Sequence, residues 1–311
     1  MNGLELAKSY YETYGREMIS ASFSDIENRI AIGLVGEGSE CLGFDDSISL
    51  DHDYEPGFCM FLTDEDEAVY GFKLQRAYNT LPKEFNGFKR NLVNPVGGAR
   101  HGVFSISGFY SKYLGYNNVP DTIEKWLYTP PSMFLNVTNG NVFRDDLGEF
   151  SKIRDAIKLG YPEDIRLKKI AANTIFAAQS GQYNYARLLK RNDVGGCILC
   201  LNEFVKRIIS IVYLLNNKYE PFYKWAFRGL KELKILNNIE NDLLALDYSI
   251  ISKDENYNLN LIEEISSKVI NEFNNQKITS ATCNNLDTHA YSITDHIKNI
   301  DLRNANIMTG A

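Results

Sequence analysis

The chain has 311 residues, 44% of them hydrophobic, which is enough for a sizeable core in one or two domains. Its net charge of −7 carries no general nucleic-acid footprint. The longest apolar stretch, 196–215, is interrupted by Glu203, Lys206 and Arg207, which argues against a membrane span. The N-terminus lacks the pattern of a signal peptide, so the scattered cysteines (Cys41, Cys59, Cys197, Cys200, Cys283) read as reduced thiols of a cytoplasmic protein.

Residues 3–15 repeat apolar side chains at helical spacing, and Phe23 to Arg29 is expected to form a second short helix. Ala31 to Val35 then reads as a buried strand. It breaks into Gly36-Glu37-Gly38-Ser39, with Gly43 further on, followed by the acidic stretches Asp45-Asp46 and Asp51-His52-Asp53. A second strand is expected over Phe58 to Leu62. Thr63 is a good N-cap, and the acids 64–67 suit the first turn of a helix that Pro82 stops. Residues 83–131 are loop-rich, with a strand over Gly102 to Ile106 and short helices over 108–115 and 120–126. Arg100 reads as a surface-loop residue that can also approach a phosphate, and His101 shares that ambiguity. Met133 to Val137 reads as a strand that turns at Asn139-Gly140 into a return strand, Val142 to Asp145.

From Ser151 the pattern is helical, over 152–160, 164–178, 197–215, 222–236, 239–247 and 260–273. Pro162 and Pro221 stand at helix starts. Residues 251–259 read as a polar linker. The expected class is α+β: a mixed sheet with flanking helices over 1–150, then a helical bundle over 151–311.

Asp51 and Asp53 would share one face of a strand, where two carboxylates can hold a hard divalent cation, Mg²⁺ or Mn²⁺. The glycine turn Gly36–Ser39 offers backbone N–H groups to a phosphate. Metal beside a phosphate cradle implies nucleotide chemistry. In the helical half, the polar segment 179–187 includes Tyr185 and Arg187. Its amides and tyrosines can orient a sugar or base, with Arg187 or Lys190 on a phosphate and Asp193 or Glu203 as the nearest acids. An internal hydrogen-bonding network explains the same residues equally well. Lys224 can reach a triphosphate, or its aromatic neighbours can simply pack the bundle. Cys197 and Cys200 have metal-like spacing but fit a helix interior. His289 and His296, seven residues apart, share a helical face without a convincing partner ligand.

Gly38-Ser39, Gly43 and the Asp-x-Asp at 51 and 53 resemble the signature of the nucleotidyltransferase superfamily, of the DNA polymerase beta and kanamycin nucleotidyltransferase type. The wording GLVGEGSECLGFDD with SLDHD is similar to a bacterial branch, the DUF4037 family, as are 139–154, 181–191 and 214–225. The resemblance implies a Mg²⁺-dependent enzyme that takes ATP or another nucleoside triphosphate and moves the nucleoside monophosphate to an acceptor hydroxyl. Asp51 and Asp53 would be the metal ligands, and Gly36, Gly38 and Ser39 the triphosphate cradle. A third carboxylate from a later strand would be Asp145, with Asp146 and Glu149 as alternates and a helix-capping role as the competing explanation for Asp145. The acceptor would be a small molecule such as an aminoglycoside, or else a protein or tRNA as in toxin–antitoxin systems. A nucleotide-binding regulatory module without turnover is the reading from another class.

Overall fold

The computed structural model describes residues 1–49, 55–90, 100–249 and 256–311. The strands are β1 (Ala31–Leu34), β2 (Cys59–Leu62), β3 (Glu84–Phe85), β4 (Phe88–Lys89), β5 (Gly102–Ser105) and β6 (Asn141–Arg144). Four make a mixed sheet in the order β5-β2-β1-β6, and β3 and β4 form a separate short hairpin. β1 runs antiparallel to β2 and β6, whereas β2 and β5 are parallel. The class is α+β. The chain divides into two compact units, Met1–Asp121 with Ser132–Leu159, and Thr122–Pro131 with Gly160–Ala311. The Glu149–Lys158 helix, which spans the expected boundary, therefore belongs with the sheet.

Both faces of this sheet are covered, which is why β1 and β2 read as unbroken apolar runs. Ile32, Met60 and Leu62 join one core with Tyr10, Tyr11 and Ile19 of the N-terminal helices and Leu74 and Tyr78 of the Asp64–Thr80 helix. On the other face Phe61 stacks on Phe150 at 4.1 Å and meets Phe109 edge-on at 5.0 Å. The Asp64–Thr80 helix starts as expected: Thr63 accepts a hydrogen bond from the Asp66 amide, and four acids occupy the first turn.

The structure corrects several expected elements. Residues 23–29 hold only a 3-10 turn, Glu27–Arg29, because the preceding helix ends at Ser22, where Phe23 leaves helical geometry with φ −140° and ψ 33°. The N-terminal helix instead runs through a π-helical turn, Tyr11–Gly15, and continues over Arg16–Ser22. Gly15 abuts Phe58 so closely that a Cβ would stand 2.5 Å from its ring. Residues 133–137 are not a strand but part of the Pro131–Thr138 helix. Its buried residues Phe134, Val137 and Thr138 have helical spacing, a pattern that a short apolar run conceals. Asn139-Gly140 consequently turns a helix into a strand, and β6 pairs with the distant β1. The helices expected over 222–236 and 239–247 shorten to Tyr223–Leu230 and Ile239–Leu244. Of the expected linker, 251–255 lie outside the described residues, and 257–259 are not linker but the start of the Tyr257–Asn275 helix.

In the second unit the Glu163–Ala177 helix is buried over most of its length and packs against the Val194–Leu215 and Leu286–Asp295 helices. It carries two buried lysines. Lys168 donates to the Ala305 carbonyl at 2.9 Å, and Lys169 to the carbonyls of Leu127 at 2.8 Å and Gly310 at 2.9 Å. His289 is fully buried and bridges Thr279 Oγ1 (2.9 Å) and the Cys283 carbonyl (2.8 Å), so it braces a loop.

Burial pulls the Lys169 pKa from 10.5 down to about 8. Between these values the unfolded chain holds the proton and the folded chain does not, so stability rises with pH across that window. The cost of burying the charge, about 3 kcal/mol, is fully present below pH 8 and relieved toward pH 10.5. Denaturant unfolding of the wild type and Lys169→Met should therefore show their stability difference shifting in favour of the wild type as pH climbs from 8 to 10.

Candidate functional site

The glycine turn leaves the end of β1 and enters a short helix, Ser39–Leu42. Gly36 and Gly38 have φ of +118° and +125°, a region that L side chains rarely adopt. A Cβ on Gly38 would meet Arg100 Nη2 and the Glu40 carboxylate, and one on Gly36 would stand 2.8 Å from the Tyr113 hydroxyl. The bare backbone is therefore used by the chain's own side chains.

Two buried residues hold the turn from below. Asn139 accepts from the Gly36 amide at 3.1 Å and donates to the Gly36 carbonyl at 2.6 Å. Arg154 donates to the carbonyls of Thr138 (2.9 Å), Asn139 (2.7 Å) and Gly140 (2.9 Å). Sequence reasoning missed both. A signal for Arg154 existed: it lies between Phe150 and Ile157 on the apolar stripe of its helix, where a cation must have buried partners.

From the side, Arg100 Nη2 donates to the Glu37 carbonyl at 2.6 Å and pairs with the buried Glu40 carboxylate. Arg100 is thus no surface-loop residue: its side chain is only 13% exposed. Its neighbour His101 lies 3.1 Å from Glu55 Oε1 and packs on Gly57. The Arg100-His101 dipeptide therefore clasps the glycine turn with one residue and the entrance to β2 with the next. The sheet imposes the same proximity, because Cys59, the first residue of β2, pairs with Gly33 near the end of β1.

A cavity of about 10 Å³, about one water in size, adjoins the turn between Arg100, Lys112, Tyr113, Glu37, Cys59 and Phe104. Lys112 reaches Glu37 at 3.3 Å. Burial pushes the Cys59 thiol up to about 12 and raises Cys41 well above its ordinary value, so neither is a nucleophile at neutral pH. Burial, with Glu37 nearby, also raises the Tyr113 hydroxyl.

Asp51 and Asp53 lie outside the described residues. Among those described, no cluster of three His, Cys, Asp or Glu can hold a metal ion. Asp145 accepts from the amides of Gly148 (2.9 Å) and Ser151 (2.8 Å), capping the Glu149–Lys158 helix. Because Arg144 pairs with Ile32 and Asn141 with Leu34, Asp145 sits at the opposite end of the sheet from the glycine turn. Of its alternates, Asp146 pairs with Arg144 and Glu149 opens the helix. In the second unit Tyr185 is buried, its hydroxyl accepting from Asn258 at 2.7 Å. Arg187 lies over the Tyr183 ring at 3.9 Å, and Lys224 over Trp225 at 5.3 Å. Cys197 and Cys200 lie within the Val194–Leu215 helix.

A family model described as "Domain of unknown function (DUF4037)" matches residues 126–226. The matched segment contains Asn139 and Arg154 but not the glycine turn, Asp51 or Asp53. No curated protein and no solved structure matches the chain. Among the described residues no helix is long and apolar enough to cross a membrane.

Replacing Arg154 by Met keeps the bulk and leaves three carbonyls without their donor. Chemical unfolding should show a loss of about 3 kcal/mol or more, whereas the exposed Lys158→Met should stay within about 0.5 kcal/mol of wild type.

Proposed function

We propose that the chain is a nucleotidyltransferase that moves a nucleoside monophosphate, AMP by default, from a nucleoside triphosphate to an acceptor hydroxyl. One observation carries most of the weight. The glycine turn and the chain entering β2, just past the Asp51-x-Asp53 sequence, are joined by Arg100 and His101 at one end of the sheet. The two halves of the sequence signature thus have anchored flanks at a common end of the fold. Gly36 and Gly38 support a close backbone approach, and Arg100 and Lys112 add two cations beside the turn.

In this reading Asp51 and Asp53 would hold Mg²⁺, which would supply Lewis-acid charge neutralisation on the phosphates. The acceptor hydroxyl attacks the α-phosphorus. The bond from that phosphorus to the bridging oxygen breaks, and pyrophosphate leaves with the electron pair while the hydroxyl proton passes to a base. Asp145 is committed to two amides at the far end of the sheet, so we assign it no part in the step. The role of Arg100 is to exchange its bonds to Glu37 and Glu40 for a phosphate oxygen, since the cavity there holds only about one water. An acidic chain suits a cationic acceptor such as an aminoglycoside.

The test is transfer of label from each α-phosphate-labelled triphosphate, with Mg²⁺, to the protein itself, total tRNA and an aminoglycoside panel. We expect label on one acceptor, lost in Asp51→Asn and Asp53→Asn, with circular dichroism unchanged. Full transfer by both variants would sink the mechanism. Tight triphosphate binding with label on nothing would replace the enzyme by a binding module.

A further inference from the structure

The Asp64–Thr80 helix covers the sheet with one face and leaves the opposite face bare. Asp66, Gly71, Leu74 and Tyr78 are its buried residues. On the far side Glu65, Val69, Phe72 and Arg76 follow one another at alternating steps of four and three residues, so they form one stripe along the helix. All four are exposed. The two apolar members at the centre, Val69 and Phe72, are 61% and 76% exposed, and exposed Ala68 adjoins them. A lone exposed apolar side chain is ordinary, but an adjoining set in mid-stripe marks a contact surface. The step pattern is that of a helix–helix seam.

The ends of the stripe carry opposite charges, Glu65 toward the N-terminus and Arg76 toward the C-terminus, with exposed Lys73 on the flank. Among the described residues the side chains of Glu65 and Lys73 have no ion pair or hydrogen bond, and Arg76 only covers the Phe72 ring, 5.9 Å from its centroid. Nor does the helix itself satisfy them. No opposite charge stands three or four residues from Glu65 or Arg76, and Lys73 and Arg76 are like charges three residues apart, which is mildly unfavourable. The helix dipole accounts for the acids of the first turn, but the last turn holds no basic residue, so the dipole does not account for Arg76.

We infer that this face pairs with the same face of a second copy of the chain, the two helices lying antiparallel about a two-fold axis. The stripe is symmetric about the point between Tyr70 and Gly71: Val69 and Phe72 are equidistant from it, and so are Glu65 and Arg76. Antiparallel packing therefore sets Val69 against the partner subunit's Phe72, and Glu65 against the partner subunit's Arg76. The two-fold repeats each contact. A parallel arrangement would instead bring like charges together, which opposes it. Antiparallel helices also align their dipoles favourably.

The stripe from Glu65 to Arg76 is about 16 Å long at the helical rise. An interface of that length falls below the size of a tight, permanent dimer, so the association is weak and reversible, with Kd roughly 10–100 μM. It uses no residue of the glycine turn and needs no nucleotide, so it stands or falls separately from the transfer reaction.

The experiment is sedimentation equilibrium of the full chain, in reducing agent without nucleotide, from about 1 μM to about 300 μM. The wild type should pass from monomer to dimer across that range. Phe72→Ser should raise Kd by about tenfold or more, because both copies lose their apolar anchor. Glu65→Lys and Arg76→Glu should each raise Kd by about tenfold, since each turns two attractive contacts into repulsive ones. An equimolar mixture of those two charge variants places opposite charges at both ends again and should dimerise about as well as the wild type. All three positions are exposed, and circular dichroism should confirm an unchanged fold. The proposal is overturned if the wild type stays monomeric throughout, which would assign the face to a different partner. It is equally overturned if a dimer forms that the substitutions do not weaken, or if the mixed charge variants fail to recover it.

Discussion

The first unit depends on one buried cation. Arg154 reaches from the apolar stripe of its helix to three successive carbonyls, at Thr138, Asn139 and Gly140, where a helix turns into β6. Those carbonyls have neither a strand nor a continuing helix to pair with, and an unpaired buried carbonyl costs roughly 1–3 kcal/mol. With that corner held, Gly140 can fit against the end of β1, where a Cβ would collide with the Leu34 carbonyl. Asn139 is then aimed at both backbone groups of Gly36. The chain from Arg154 through Asn139 to the glycine turn is continuous, and each link is a hydrogen bond from one element to the backbone of another.

Above the turn the logic is electrostatic. Glu40 is buried on a single-turn helix and is compensated by Arg100, which also takes the Glu37 carbonyl. A buried pair of this kind adds little net stability, because desolvation of both ions offsets their attraction. It does fix where the segment carrying Arg100 must lie. His101 follows directly and meets Glu55, so the pair aligns the start of β2 with the end of β1. A single dipeptide thereby couples two loops that are remote in sequence. The arrangement is closed, with room for about one water, and a phosphate would have to compete with Glu40 for the guanidinium.

The second unit uses the opposite strategy. Its central helix places Lys168 and Lys169 on main-chain carbonyls, so the buried charges tie distant loop and tail segments to the core. The π-helical segment beyond that helix is shaped by Gly181, which lets the backbone sink onto Phe204 and turns polar side chains outward. The polar segment 179–187 thus splits by face: Tyr185 and Gln182 belong to the internal network, and Gln179 and Asn184 line a cleft.

By itself the sequence determined the α+β class, the strands at β1, β2 and β5, the Thr63 cap and most of the long helices. Each of these rests on local signals: buried apolar runs, helical periodicity, a capping side chain, or proline at a helix start. Only the tertiary structure decided that 131–138 is a helix, because its short apolar run suits either period until its neighbours select one face. Only tertiary structure could pair β6 with β1, send Asp145 to the far end of the sheet, and bring Arg100 to the glycine turn. For β6 and for Arg100 the partner element lies about 60 to 100 residues away, where no local pattern encodes the pairing, and the position of Asp145 follows from that of β6.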